Sequence, residues 1–193
     1  RGPSASDLVF KPDVAAPGDY INSTTPNNQH GYNSGTSMAA PHVAGAAALL
    51  KQQQKNRTPA EIKSLLVNSA KDLQQPLPAQ GSGRLDVLAA ANATLTFSPQ
   101  SISFGKMDNK ALWAQQQALV IHNTAATSST VRLEPPTMPA GVTFTISPAR
   151  TIALPAGGSQ EVQIQLTVDP AIYQMPANGN VVEDLSLNIR NEQ

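Results

Sequence analysis

A chain of 193 residues has room for one medium-sized domain or two small ones, and either can bury a real hydrophobic core. Its 13 basic and 13 acidic side chains cancel and form no run of either sign, which argues against binding to nucleic acid or to an anionic membrane. There is no cysteine, which excludes disulfides and thiolate metal sites, and the longest apolar run, Val43 to Leu50, is far shorter than the ~20 residues that span a bilayer.

The first fifty residues predict short buried strands or strand ends and then a helix. Leu8 to Phe10 and Val14 to Ala16 are apolar stretches interrupted by prolines, and the polar segment from Asn22 to Ser34 is expected to be a loop. From Ser37 to Leu50 no residue is charged, and eight of the fourteen are Ala, Gly or Ser. This composition predicts a helix that is buried on nearly every side, with close neighbours.

Two more helices are predicted after this one. Thr58-Pro59-Ala60-Glu61 combines an N-cap hydroxyl, a proline at the first helical position and a glutamate three residues on, which is a capping box. Gln75 to Pro78 ends the apolar stripe of that helix. A connecting segment that begins with Gly-Ser-Gly, residues 81–87, then leads into a short last helix through Ala93.

After Thr94 the hydrophobic periodicity changes from helical to alternating. Apolar residues alternate with polar ones at 162–168 and again at 185–189, and further strands are expected at 119–121, 131–133, 142–146 and 151–154. Turns rich in proline and glycine separate them, which is typical of an all-β sandwich. The predicted organisation is an α/β unit over residues 1–94 and a sandwich over residues 95–193. Because the chain stops soon after Ile189, we expect the sandwich to lack a final strand.

Two strings in the first unit carry a family resemblance. GTSMAAPHVAG, from Gly35 to Gly45, resembles the serine signature of the subtilases, the subtilisin-like serine peptidases. KPDVAAPG, from Lys11 to Gly18, resembles the segment that precedes this signature. The resemblance implies that residues 1–94 form the C-terminal part of a peptidase domain with a buried central helix, and that the aspartate and histidine motifs of the family lie upstream.

A second resemblance concerns the β-rich half. Leu95 to Pro99 and the Pro-Ala-Gly-Gly-Ser turn at residues 155–159 are similar to the fibronectin-type-III-like domains that follow the catalytic domain in many secreted subtilases. It implies a secreted or cell-surface protein.

Ser37 is the predicted nucleophile. Acyl transfer requires a base that takes the serine proton and donors that hold the developing oxyanion. Backbone N–H groups at a helix start lack intrahelical partners, and the helix dipole adds positive charge there. We expect the Ser37 N–H to serve as the oxyanion donor, with the backbone of Gly35 and Thr36 leaving the approach open to a substrate carbonyl. The alternative is an N-cap serine without a chemical role.

The histidines of the chain are not expected to serve Ser37. Five residues along an α-helix correspond to about 140° and about 7.5 Å, so His42 should point away from the Ser37 hydroxyl and pack inside the domain. His30 is followed by Gly31-Tyr32, unlike the histidine motif of the family, and is interpreted as a loop residue. His122 lies in a predicted strand of the second unit.

No aspartate has the context of the catalytic aspartate in subtilases, which precedes a small hydroxyl residue and a glycine. The eight aspartates without this context are Asp7, Asp13, Asp19, Asp72, Asp86, Asp108, Asp169 and Asp184. No cofactor or metal site is visible. Asp13, in a turn beside Lys11 and Pro12, is predicted to be structural rather than a metal ligand. The resemblance allows structural calcium, but calcium sites of the family map onto no positions here.

The leading prediction is a serine endopeptidase that hydrolyses peptide bonds through an acyl-enzyme on Ser37. Its substrates would be proteins or peptides, and its partner the N-terminal part of its own catalytic domain, so this chain alone should be inactive. Another hypothesis is a self-contained hydrolase that uses His30 with a nearby aspartate.

The alternative from another functional class is an accessory adhesion or substrate-binding module with the sandwich as its working part. Trp113 and the glutamines at 115–117 would then form a binding face. A core tryptophan beside a solvent-facing strand is the competing interpretation of these residues.

Overall fold

The computed structural model describes residues 2–3, 10–105, 107, 111–173 and 187–192. Its described residues divide into two compact units. The first contains Gly2, Pro3 and Phe10–Ala93, and the second begins at Thr94. The predicted segments at Leu8, Val9 and Leu185 lie outside the described residues, as do Asp7, Asp108 and Asp184.

The first unit mixes helices with short strands. The helices are α1 (Thr36–Gln53), α2 (Pro59–Asn68), α3 (Leu77–Gln80) and α4 (Val87–Asn92). The strands are β1 (Gly2–Pro3), β2 (Phe10–Lys11), β3 (Ile21–Thr25) and β4 (Gln29–Asn33), paired as β1 with β2 and β3 with β4. The short helix α3 was not predicted. Val14 to Ala16 is not a strand, because only Ala15 forms a bridge, to Arg84.

The capping box predicted at the start of α2 is confirmed. The backbone N–H of Glu61 donates to Thr58 Oγ1 over 3.2 Å, and the backbone N–H of Thr58 donates to Glu61 Oε2 over 2.6 Å. These two bonds satisfy donors that a helix start otherwise leaves free. The cap fixes α2 where its apolar side chains meet those of α1 and α4, in a core formed by Ala46, Leu50, Ile62, Leu65, Leu66 and Ala90.

The prediction that the helix after Ser37 is buried on nearly every side is wrong for this chain. In α1 only Ala46 and Leu50 are buried, and Leu49 is 57% exposed. The described residues cover one face of α1, chiefly through α2 and α4. Small uncharged side chains permit a helix to be enclosed, but enclosure also needs polypeptide on the other faces.

The expected loop from Asn22 to Ser34 is also a correction, because the segment forms the antiparallel hairpin β3–β4. Its turn contains Asn27 and Asn28 at φ values of 64° and 55°, a backbone region that asparagine tolerates better than most residues. Polarity alone suggested a loop, since the hairpin is exposed on both faces. The Asn-Asn pair was the turn signal that could have identified it.

The second unit consists of two antiparallel sheets. Its strands are β5 (Leu95–Ser98), β6 (Trp113–Asn123), β7 (Ser129–Glu134), β8 (Val142–Ser147), β9 (Thr151–Leu154), β10 (Ser159–Val168) and β11 (Asn188–Glu192). One sheet has the order β5-β6-β10-β8 and the other β11-β7-β9. The alternating pattern predicted at 162–168 therefore lies in the centre of the larger sheet.

The two sheets share one hydrophobic core. The larger sheet contributes Leu119, Ile121, Val162 and Ile164, and the smaller contributes Val131, Leu133, Ile152 and Leu154. Every second residue of these strands points inward, as the sequence pattern predicted. Trp113 is an exception to the expectation of a core tryptophan, since it is only half-buried and lies outside this cluster. A position at the end of β6 explains this, because strand ends lie at the rim of the core.

Among the described residues, no helix combines the length and the apolar character needed to cross a lipid bilayer.

Candidate active site

Ser37 is the second residue of α1 and is exposed. Gly35 is the N-cap, and its carbonyl accepts the first helical bonds, from Met38 N at 3.0 Å and Ala39 N at 3.3 Å. The N–H groups of Thr36 and Ser37 precede these bonds and point out of the helix start. Among the described residues, neither the hydroxyl nor the N–H of Ser37 has a hydrogen-bond partner. The N-cap alternative for Ser37 is wrong, because Gly35 occupies that position.

The two sequence motifs of the first unit meet at a pair of glycines. The Gly35 N–H donates to the Gly18 carbonyl over 2.7 Å. A Cβ at Gly18 would lie 2.8 Å from the Gly35 oxygen and 3.2 Å from Ala39 Cβ, so no larger residue fits there unchanged. Gly35 itself has φ 149°, which side chains rarely adopt, and a Cβ there would lie 3.9 Å from Ser37 N. Gly18 is therefore required by a close backbone approach, and Gly35 by its backbone conformation.

His42 is turned toward its own helix. Its Nδ1 lies 2.9 Å from the Met38 carbonyl, and since a carbonyl only accepts, Nδ1 carries the proton of this bond. Pro41 precedes it inside the helix and leaves the Ser37 carbonyl without its usual N–H donor. The prediction that His42 is packed inside is wrong for this chain, because the described residues leave this part of α1 uncovered and the side chain is exposed.

The other two histidines lie apart from Ser37 in sequence and element. His30 is an exposed residue of β4, opposite Thr24 in the hairpin, and not the loop residue that was expected. His122 belongs to β6 in the second unit, where its Nδ1 lies 3.5 Å from Thr96 Oγ1. Among the described residues, no hydrogen bond joins Ser37 to an imidazole.

The carboxylate of Asp13 has basic partners. It lies 2.7 Å from Lys11 Nζ and 3.5 Å from Lys63 Nζ, and the Asp13 carbonyl accepts from Ser82 N over 3.0 Å. These contacts connect the segment Lys11 to Gly18 with α2, through Lys63, and with the segment 81–87, through Ser82. They agree with a structural role for Asp13. Within the described ranges, no group of three side chains is arranged to hold a metal ion.

Three other aspartates accept hydrogen bonds from nearby residues. Asp86 Oδ1 accepts from Ala89 N and caps α4, Asp169 Oδ1 accepts from Ala171 N, and Asp72 Oδ1 accepts from Gln74 N and Gln80 Nε2. These bonds give each of the three carboxylates a local structural role.

Sequence reasoning missed a group of residues just before the serine turn. Ser34 Oγ donates to Asp19 Oδ1 over 2.6 Å and accepts from Tyr20 N over 2.8 Å. The rings of Tyr20 and Tyr32 stack with their centroids 4.3 Å apart and their planes at 14°. One signal was present in the sequence: between Val14 and Leu50, Asp19 is the only residue with a charged side chain other than histidine.

Residues 1–84 match the profile of the subtilase family. We call these residues the subtilase segment, and they include both motifs, α1, α2 and Ser37. The match supports the predicted subtilase relationship and, at the level of the family, serine-peptidase function.

Curated relatives agree with this match. The chain is 39% identical over 117 residues to the minor extracellular protease Vpr of Bacillus subtilis, covering 54% of the chain and 14% of that protein. It is 40% identical over 111 residues to the subtilisin-like protease SBT1.9 of Arabidopsis thaliana, covering 50% and 15%. The C5a peptidase of Streptococcus pyogenes is 30% identical over 195 residues, covering 84% and 16%. The chain therefore spans 14 to 16% of the length of these three relatives.

Proposed function

We propose that this chain is the nucleophile-bearing part of a secreted serine endopeptidase. The observation that carries the proposal is the exposed Ser37, which has no hydrogen-bond partner among the described residues. It lies at the start of an 18-residue helix, inside a segment that matches the subtilase family. Its hydroxyl attacks the carbonyl carbon of a peptide bond, and its N–H donates to the oxygen that becomes negative. The helix dipole adds positive charge at the same point.

The base and its orienting acid come from polypeptide upstream of Arg1. The imidazole takes the Ser37 proton as the Oγ–C bond forms, then returns it to the amine as the C–N bond breaks. Water releases the acyl group from Ser37 by the reverse sequence. The absence of aspartate and histidine motifs from the sequence, and the small share of each relative that the chain spans, support this division.

The uncovered face of α1 supports the same division. A cavity of about 620 Å³ opens between α1 and α2, and its apolar lining includes Val43, Ala47, Ile62 and Leu66. We infer that the preceding part of the peptidase domain covers this cavity and the exposed residues of α1. Burial of apolar surface would drive the association at ~25 cal/mol per Å².

The second unit is proposed to be a fibronectin-type-III-like domain attached to the peptidase. Its four-stranded and three-stranded sheets around one core support this assignment. That the sandwich lacks a final strand stays a prediction. The secreted location is supported by the name of the Bacillus relative, an extracellular protease. The alternative of an accessory binding module stays a prediction, with Gln115 and Gln116 exposed on β6.

Labelling of the full-length protein with a fluorophosphonate tests the proposed function. The unmodified protein should be labelled, Ser37→Ala should not, and Ser23→Ala, which removes an exposed hydroxyl from β3, should be labelled normally. His30→Ala should retain turnover, which separates this proposal from a hydrolase that uses His30. Labelling that survives Ser37→Ala would contradict the assignment of the nucleophile. Labelling of the 193-residue chain alone at the rate of the full-length protein would contradict the upstream base.

A further inference from the structure

An exposed aromatic pair lies beside the turn that carries Ser37. Tyr20 is 71% exposed and Tyr32 is 55% exposed, although their rings stack on each other. Tyrosine rings contribute most to folding and binding free energy when large areas of them are buried. A stacked pair open to solvent is therefore an unusual use of two aromatic residues. Each ring uses one face for the stack and leaves the other available.

The backbone holds this pair in a fixed position. Tyr20 has φ 51°, a left-handed conformation that is uncommon for a bulky residue and costs free energy. The bond from Tyr20 N to Ser34 Oγ stabilises it, and the same hydroxyl donates to Asp19 Oδ1. Ser34 thereby fixes a ring and a carboxylate to the residue that precedes Gly35.

The segment that carries the pair, from Val14 to Leu50, has one charged side chain besides histidine, and that side chain is negative. Asp19 is exposed, and only its Oδ1 has a hydrogen-bond partner among the described residues. No Lys, Arg or Glu occurs between Val14 and Leu50, and among the described residues Asp19 forms no salt bridge. A cation is attracted both to a carboxylate and to the face of an aromatic ring. A positively charged group on a flexible aliphatic stem, as in lysine or arginine, satisfies both features.

The few residues between Ser34 and Ser37 limit how far Asp19 and the tyrosine pair can lie from the bond that Ser37 attacks. Ser34 is three residues before Ser37, so their Cα atoms are at most about 11 Å apart. An extended peptide advances about 3.3 Å per residue. A substrate side chain that reaches Asp19 therefore belongs to a residue within about four positions of the bond that Ser37 attacks.

We propose that Asp19, Tyr20 and Tyr32 form a specificity subsite that selects substrates with a lysine or arginine within four residues of the scissile bond. The proposal rests on the proposed function, because it needs Ser37 to be the nucleophile. The three residues do not take part in bond breaking. They raise the affinity for a basic side chain, so the effect appears mainly in KM.

The test uses the full-length protein and pairs of internally quenched peptides. Each pair differs at one position, lysine against norleucine, and the position is moved through four residues on either side of the cleavage point. The unmodified protein should prefer lysine at one position in kcat/KM. Asp19→Asn should reduce this preference about threefold to tenfold, and Tyr32→Leu about threefold, mainly through KM. Higher salt should weaken the Asp19 contribution.

Matched controls separate selectivity from folding. Glu161→Gln removes the same charge from the second unit and should leave the preference unchanged. Fluorophosphonate labelling of Asp19→Asn should equal that of the unmodified protein. If the unmodified protein labels normally but shows no preference for lysine at any position, the subsite proposal is overturned and the proposed function is not. Asp19→Asn and Tyr32→Leu variants that melt earlier and keep the full preference would also overturn it, since a purely structural role predicts that result.

Discussion

Gly35 donates its backbone N–H to the carbonyl of Gly18 over 2.7 Å. A Cβ atom added at Gly18 would lie only 2.8 Å from the Gly35 oxygen, so the space for a side chain there is already occupied. Two motifs with 16 residues between them in sequence are thus joined at the residues without side chains. The contact sets the conformation of the turn just before Ser37. It therefore links a packing constraint directly to the position of the proposed nucleophile.

Gly18→Ala should lower both the stability of the first unit and the reactivity of Ser37. The added Cβ meets backbone, which cannot rotate away, so we expect a loss of about 1–3 kcal/mol in unfolding free energy and slower fluorophosphonate labelling of Ser37 in the full-length protein. Gly31→Ala is the matched control. There a Cβ would meet only the Thr25 methyl group, at 3.1 Å, and a small shift relieves the contact. Equal effects of the two substitutions on labelling would contradict the link between Gly18 and Ser37.

Thr58→Ala should destabilise the first unit by about 1 kcal/mol, the usual cost of losing an N-cap hydroxyl. The substitution leaves the Glu61 N–H without its acceptor and removes the bond between the Thr58 hydroxyl and Glu61 Oε2. Thr58→Ser keeps the hydroxyl and should cost much less. Denaturant unfolding followed by circular dichroism at 222 nm measures both, and similar midpoints for the two variants would contradict the role of the cap.

Asn123 should be among the least replaceable residues of the second unit. It is 0% exposed, its Nδ2 donates to the carbonyls of Thr127, Leu154 and Pro155, and its Oδ1 accepts from Ala125 N. Asn123→Ala leaves several buried groups unpaired, at about 1–3 kcal/mol each. Asn123→Asp should be at least as harmful at neutral pH, because a carboxylate cannot donate to three carbonyls.

The only tryptophan of the chain, Trp113, reports this loss through its fluorescence during denaturant unfolding. Gln165→Ala, at an exposed position of β10, is the control and should change the midpoint little. If Asn123→Asp unfolded at the same midpoint as the unmodified chain, the four hydrogen bonds of this amide would not be contributing to stability.

Asp72 should make the first unit more sensitive to acid. Hydrogen bonds from the Gln80 side chain and the Gln74 backbone lower the pKa of Asp72 from its ordinary value of 3.8. A carboxyl whose pKa is lower in the folded state stabilises that state above its unfolded pKa, and the contribution is lost as the pH falls through the folded pKa. Its loss therefore begins below about pH 4.

Asp72→Asn removes this titration. The stability difference between the unmodified chain and Asp72→Asn should shrink as the pH is lowered from 5 to 2, in denaturant midpoints measured across that range. A carboxyl titration by NMR gives the direct check, because Gln80→Ala should raise the pKa of Asp72. A difference that stays constant from pH 5 to pH 2 would contradict the prediction.

Local sequence was sufficient for several elements of both units. The capping box at Thr58 and Glu61 acts within four residues, and its bonds formed as expected because they need no distant partner. The alternating pattern at 162–168 predicted a strand correctly for a similar reason, since side chains of a strand alternate between its faces. The prediction that Ser37 lies at the start of a helix also followed from the residues next to it in sequence.

Tertiary packing changed the other predictions. His42 and most of α1 are exposed because the burial of a helix depends on what covers it, and composition does not supply the cover. Sequence did not predict the hairpin β3–β4, because two strands that are polar on both faces show no hydrophobic period. The stacking of Tyr20 on Tyr32 also depends on this hairpin, which brings residues 12 positions apart into contact.

The sequence by itself determined the identity of the nucleophile candidate, the start of each main helix and the change to alternating strands at Thr94, because these depend on residues within a few positions of one another. Only the tertiary structure decided that Gly18 contacts Gly35, that Ser34 fixes Asp19 and Tyr20 beside the serine turn, and that the described residues leave one face of α1 open. Those relationships join residues far apart in the chain. Their energies depend on distances of a few ångströms, which the order of residues does not specify.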